Sequence, residues 1–206
     1  MKVLTGLLNR VIHIILRPQH EWSVIKAEQS SYQRIFRYAA LMTLPPIAAI
    51  TWPVFRDFLR YSKESPIYRS AALYSLLLGT GWYLLNLVNV VIIGALFQGL
   101  FPDFAATDDK VRGLKISAYS ATPLWIAVTF TVIPIVLFDW IALAALIYSI
   151  YLMYLAVTIL MDIPKKKAAL YTVITVLASG TIIVVINSMF IELGNSLVKR
   201  WWPHLT

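Results

Sequence analysis

Seven residues have side chains and spacings that invite chemistry. Asn86 and Asn89 stand three apart in a long apolar run, so on a helix they share a face with Ser75, Gly79 and Trp82. Neutral amides in such a run either bond to another helix or line a polar path or binding site. Tyr148, Tyr151 and Tyr154 recur every third residue; their rings are either buried with satisfied hydroxyls or part of such a site. Tyr119 poses the same alternative. It stands four residues before Pro123, which with Pro45-Pro46 and Pro134 belongs to the class of helix-breaking residues found around transport sites.

The pattern also excludes. His13, His20 and His204 lie outside every apolar run, and no His-x-x-x-His or glutamate-linked zinc spacing occurs. There is no phosphate-cradling Gly-x-x-x-x-Gly-Lys and no Gly-x-Ser-x-Gly elbow. No run carries an acid, lysine or histidine at mid-depth, where ionisable groups are expensive and mark pumps and proton relays. These absences speak against hydrolase, nucleotide-driven and carboxylate-coupled proton chemistry, and leave a passive pathway open. Cysteine is absent, which removes disulfides and thiolate sites. Asp108-Asp109, followed by Lys110 and Arg112, reads as a solvated loop rather than a metal site. The expectation is a non-enzyme with no cofactor and no metal.

Composition says what must position these residues. The chain is 59% hydrophobic and 14% charged, against about 25% charged for soluble domains. Mean hydropathy is +0.72. Such a chain is too apolar to cover its own core in water, whereas in lipid apolar side chains face outward freely. The expected fold is all-α, an integral membrane bundle of five transmembrane helices with an N-terminal amphipathic interfacial helix. The runs are 35–55, 71–101, 116–138, 140–161 and 168–191, each long enough for a span of about 20 residues. Prolines 45, 46 and 53 predict a kink in the first. Charged loops are expected over 56–70, 102–115 and 162–167, and a tight turn at Pro134 and Asp139-Trp140.

Residues 2–17 place Lys2, Gly6, Asn9, Arg10, His13 and Arg17 on one helical face and Val, Leu and Ile elsewhere. This predicts a helix in the interface with Lys2, Arg10 and Arg17 at anionic head groups, ended by Pro18, rather than a cleaved signal peptide. Residues 19–34 read as a polar segment with Trp22 at the interface, and 192–206 as a short tail. Small residues at Ala142, Ala145, Ser149 and Ala156, and at Thr172, Thr175 and Ser179, form packing faces or a homo-oligomer contact. The net charge of +8 reads as basic flanks toward lipid, not as a nucleic-acid surface. Twelve lysines and arginines fall on the N-terminal side of the five-span topology and six on the other. The positive-inside rule then puts the N-terminus in the cytoplasm and the C-terminus outside.

Four stretches resemble one family: Pro18-x-x-x-Trp22-x-x-Ile25-x-x-Glu28; Lys115-Ile-Ser-Ala-Tyr119-Ser120-Ala-Thr122-Pro123; Tyr148-Ser-Ile-Tyr151-Leu-Met-Tyr154-Leu; and Ile163-Pro164-Lys-Lys-Lys167-Ala168. In order and spacing the chain resembles the Yip-domain (Ypt-interacting protein) membrane proteins, and among them the short bacterial members. The resemblance implies a five-span domain with a cytoplasmic N-terminus in the bacterial inner membrane. For bacterial members it implies no settled activity; the uncharged spans, small-residue packing faces and interfacial helix themselves lead to the expectation of a scaffold or adaptor in membrane organisation or trafficking-like processes, with a membrane-protein partner or a second copy. Eukaryotic relatives bind Rab GTPases. This chain lacks their Asp-Leu-Tyr-Gly-Pro motif and has Ala118 where glycine often precedes the tyrosine, so GTPase binding is not carried over. The competing expectation, from the asparagine face, is a channel or transporter for an ion or small solute.

Overall fold

A computed structural model describes residues 2–61, 66–105, 111–133 and 135–201. The described residues form nine helices: α1 Lys2–Leu16, α2 Pro18–Ala27, α3 Tyr32–Tyr61, α4 Pro66–Leu100, α5 Pro102–Ala105, α6 Arg112–Ser120, α7 Thr122–Phe130, α8 Val136–Met161 and α9 Lys165–Trp201. Pro134, Asp108, Asp109, Lys110 and His204 lie outside the described residues, as do the side chains of Lys2 and Ser75.

Four helices are long and apolar enough to cross a membrane, over Tyr32–Pro53, Gly79–Leu100, Val136–Met161 and Lys165–Gly194. Only 22% of the α4 and α9 windows is buried within the molecule. Most of their apolar surface faces outward, which lipid tolerates and water does not. The protein is an all-helical bundle of the integral membrane type. α3 packs on α4 and α7, α4 on α6 and α9, and α8 on α2, α7 and α9. Burial concentrates at the end that carries α1 and α2, around Ile14, Trp22, Ile25, Ile35, Phe97, Ile116, Leu152 and Leu160. At the far end the start of α8 is bare, with Val136, Leu137 and Trp140 all exposed.

Four departures from the sequence reading have physical causes. The expected span 116–138 is divided into α6 and α7, which meet at Ala121. Pro123 has no N–H to return to the Tyr119 carbonyl, so the ladder breaks there. The turn to α8 falls at residues 131–133, and Asp139-Trp140 belongs to α8, with Asp139 in its first turn. An acid there suits the positive end of the helix dipole. The charged stretch 56–70 is mostly helix, because α3 and α4 run past the apolar runs to Tyr61 and from Pro66. Likewise α9 carries the expected tail on to Trp201.

The fourth departure is α2, where a polar segment was expected. It opens with Pro18 in its first turn, a position where the missing N–H costs nothing. Its Glu21, Trp22 and Ile25 are buried on one face. Trp22 is therefore a core residue with no exposure, not an interfacial one. α1 in turn divides its apolar surface. Val11 and Ile14 pack inward, while Leu8, Ile12 and Leu16, spaced four apart, point away from the bundle.

Candidate functional site

The first three motif stretches meet at the α1–α2 end. Tyr119, only 3% exposed on α6, is the centre. The Trp22 ring from α2 stands edge-on to it at 6.3 Å, and the Tyr38 ring from α3 at 4.6 Å. Such edge-to-face pairs add to the burial of the rings themselves. The Tyr38 hydroxyl and Thr122 Oγ1 are hydrogen-bonded at 2.7 Å, which ties α3 to α7 one turn after Tyr119. Pro123 is buried beside Thr122.

Charge closes on this aromatic centre. The Arg10 guanidinium lies 5.7 Å from the Tyr119 ring centroid, within cation–π range. It donates through Nη1 to Glu21 Oε1 at 2.6 Å and through Nη2 to Glu28 Oε2 at 2.8 Å. His13 Nδ1 is 3.3 Å from the other oxygen of Glu21, and Arg34 Nη1 is 3.6 Å from that of Glu28. Arg10 therefore turns inward to two carboxylates, and such charge-assisted bonds are stronger than neutral ones. Arg17 and His13, on the same polar face of α1, are exposed.

Around this centre three side chains bond to the ends of helices. Lys115, 1% exposed, donates from Nζ to the Glu28 carbonyl at 2.9 Å and reaches the Ile25 carbonyl at 3.5 Å. Arg112, one turn earlier on α6, donates to the Leu160 carbonyl at 3.2 Å, at the end of α8. The Tyr148 hydroxyl donates to the Ile15 carbonyl at 2.8 Å, in the last turn of α1. Helix C-termini leave carbonyls unpaired and carry partial negative charge, so cations and donors are favoured there.

The fourth stretch extends the network along the same end. Asp162 ends α8 in the left-handed conformation, φ 53°, and its carboxylate accepts from Lys26 of α2. Aspartate tolerates this region better than most residues. Lys167 Nζ donates to Asp103 Oδ1 at 2.9 Å, and the Tyr171 hydroxyl donates to Oδ2. These two donors, Lys167 foremost, hold the Asp103 carboxyl below the usual carboxylate range. The Tyr171 ring stacks on Phe101 at 3.7 Å.

The other sequence candidates stand apart from this network. Tyr154 is half-buried against the core, and Tyr151 is 43% exposed, its ring 5.8 Å from that of Tyr148. Asn86 donates from Nδ2 to the Trp82 carbonyl of its own helix at 2.9 Å, the carbonyl one turn back being in easy reach. Asn89 Oδ1 is buried with no hydrogen-bond partner. Neither amide is hydrogen-bonded to another helix, which is one of the two arrangements open to them. Glu21 and Tyr38 carry no signal in the sequence, and Arg10 and Arg112 read there only as a head-group contact and a loop charge. Their partners are 11 to 84 residues away, and nothing local marks them.

No group of three or more metal-ligating side chains occurs among the described residues. The arrangement commits its charged groups to one another and to helix ends, which suits fixing helices in place. The family model of the Yip1 domain matches residues 12–186. No curated protein and no solved structure matches the chain.

Proposed function

The chain belongs to the Yip1 domain family, and from that premise we propose that this multi-pass membrane protein is a non-enzymatic scaffold or adaptor in membrane organisation. The observation that carries the reading is the convergence of the motif stretches on one end of the bundle. There Arg10 binds Glu21 and Glu28 and Lys115 binds the end of α2, and the exposed faces of α1 and α2 are left as an outer surface. That surface is where a membrane-protein partner or a second copy docks in this reading. Crosslinking in native membranes followed by mass spectrometry tests it: a recurrent protein partner supports the scaffold, and recovery of lipid adducts alone opposes it.

The second reading is a channel or transporter. What favours it is that Asn89 Oδ1 on α4 and Asn187 Oδ1 on α9 are buried without partners. Solute or ion flux in proteoliposomes that disappears in Asn89→Leu, with insertion and monodispersity intact, would establish it.

We further propose that the α1–α2 end faces the cytoplasm, in a bacterial inner membrane. The excess of lysine and arginine on that side supports the orientation. The chain has no cysteine, so single-cysteine labelling has no background. Cysteines replacing Ser23 and Lys166 should be shielded from an impermeant reagent added outside. Labelling of both from outside would reverse the orientation.

A further inference from the structure

At the α1–α2 end, on the flank formed by α3, α4 and α6, a groove of about 370 Å³ runs between Gln33 and Phe36 of α3, Val91, Ala95 and Gln98 of α4, and Leu114 of α6. This falls within the roughly 300–1,000 Å³ of ligand pockets. Its depth comes from backbone approach. α4 and α6 touch at Gly94 and Gly113, and Gly94 lines the groove, so no side chain fills its floor. The lining is apolar apart from the amides of Gln33 and Gln98 and the hydroxyl of Tyr32. Phe36, Val91 and Ala95 are exposed, so the groove opens sideways toward the surroundings of the bundle.

One turn along α3 from Gln33, on the same helical face, stands Arg37. It is exposed and forms no ion pair or hydrogen bond with the described residues. Its neighbours differ: Arg10 has Glu21 and Glu28, and Arg34 has Glu28. Arg37 lies inside the apolar window Tyr32–Pro53. An unpaired guanidinium at such a depth is costly, and its long stem lets the charge snorkel toward the interface. A mostly apolar slot with a lone cation one turn from Gln33 is complementary to a molecule with a hydrocarbon chain and an anionic head.

We propose that this groove is a specific site for one anionic phospholipid, with an acyl chain along Phe36, Val91, Ala95 and Leu114 and the phosphate at Arg37. The amides of Gln33 and Gln98 flank the glycerol region. A zwitterionic lipid brings its own cation to the phosphate and gains less from Arg37.

The test is native mass spectrometry of the full chain released from bilayers of mixed phosphatidylglycerol and phosphatidylcholine. The expected result is one retained phosphatidylglycerol, preferred over phosphatidylcholine. Arg37→Gln should lower that preference about fivefold, the worth of one basic residue at an anionic surface. Arg37→Lys should restore most of it, which separates loss of charge from loss of fold. Ala95→Trp, which fills the groove from its exposed side, should abolish retention of both lipids while the protein stays monodisperse. Equal retention of the two lipids by the unaltered chain, or a preference that survives Arg37→Gln, would overturn the proposal. So would retention unchanged by Ala95→Trp.

Discussion

Lys115 Nζ lies 2.9 Å from the main-chain carbonyl oxygen of Glu28, across 87 residues of sequence. The carbonyl stands just past the end of α2, and the ammonium is its buried donor, so α6 holds α2 by its terminus. Lys115→Met keeps the stem and removes the donor. The expected cost is about 1.5–3 kcal/mol, the range for a hydrogen bond to a charged group. It should be read as a lower thermal midpoint in detergent with faster hydrogen exchange over Pro18–Ala27. Unchanged exchange there would mean that Trp22 and Ile25 hold α2 unaided.

Tyr148 performs a similar task for α1 through the Ile15 carbonyl. Tyr148→Phe keeps the ring and should cost about 0.5–1.5 kcal/mol, the net value of a neutral hydrogen bond. The effect should be local, as faster exchange or earlier proteolysis of Lys2–Leu16 with the rest of the bundle unaffected. Equal loosening across α8 would show that the ring, not the hydroxyl, is what counts.

Gly113 tests the closeness of α4 and α6. A Cβ there would strike the carbonyl oxygen of Gly94, a backbone atom that cannot swing aside. Gly113→Ala should therefore destabilise by about 1–3 kcal/mol, as overpacked sites do. It should also weaken the bond from Ser117 Oγ to the Val90 carbonyl, 2.8 Å long across the same pair of helices. Gly99→Ala is the control, since a Cβ there meets nothing within 4 Å. Equal effects of the two substitutions would contradict the packing account.

Asp103 gives the pH dependence. Lys167 and Tyr171 hold its folded pKa below the unfolded value of about 4. A depressed carboxylate pKa contributes stability that is fully present above the unfolded value and is lost as pH falls through the folded one. The tie between α5 and α9 should thus hold at neutral pH and loosen below about pH 4. Thermal midpoints across acid pH would record the loss, and Asp103→Asn should remove that component of the slope. A variant with the same slope as the parent would place the acid response elsewhere.

The long helices were legible because a run of twenty or more apolar residues has few alternatives in lipid. α2 was not, since its inward face consists of Glu21, Trp22 and Ile25, and the glutamate makes that face look solvated until Arg10 is placed beside it. The break at Ala121 was half visible in Pro123, but an apolar stretch on either side reads as one span. Tyr119, Pro123 and Tyr148 could be picked out by type and motif. What they touch could not, because Tyr38, Arg10 and the Ile15 carbonyl reach them through chain reversals that no local pattern records. The asparagines' hydrogen bonds were no more legible: two amides in an apolar run suggest a partner helix, yet Asn86 bonds to its own.

The central claim is that the clasped α1–α2 end serves as a docking surface. Site-resolved photocrosslinking in native membranes tests it most directly, with the crosslinking residue at position 20, in place of exposed His20, or at position 140, in place of exposed Trp140 at the far end of α8. The account predicts a discrete protein adduct from position 20 and none from position 140. It also predicts that the adduct disappears when Arg10→Ala and Lys115→Met release the clasp in a chain that still inserts and remains monodisperse. No protein adduct from position 20, the same adduct from both positions, or an adduct indifferent to the clasp would contradict it.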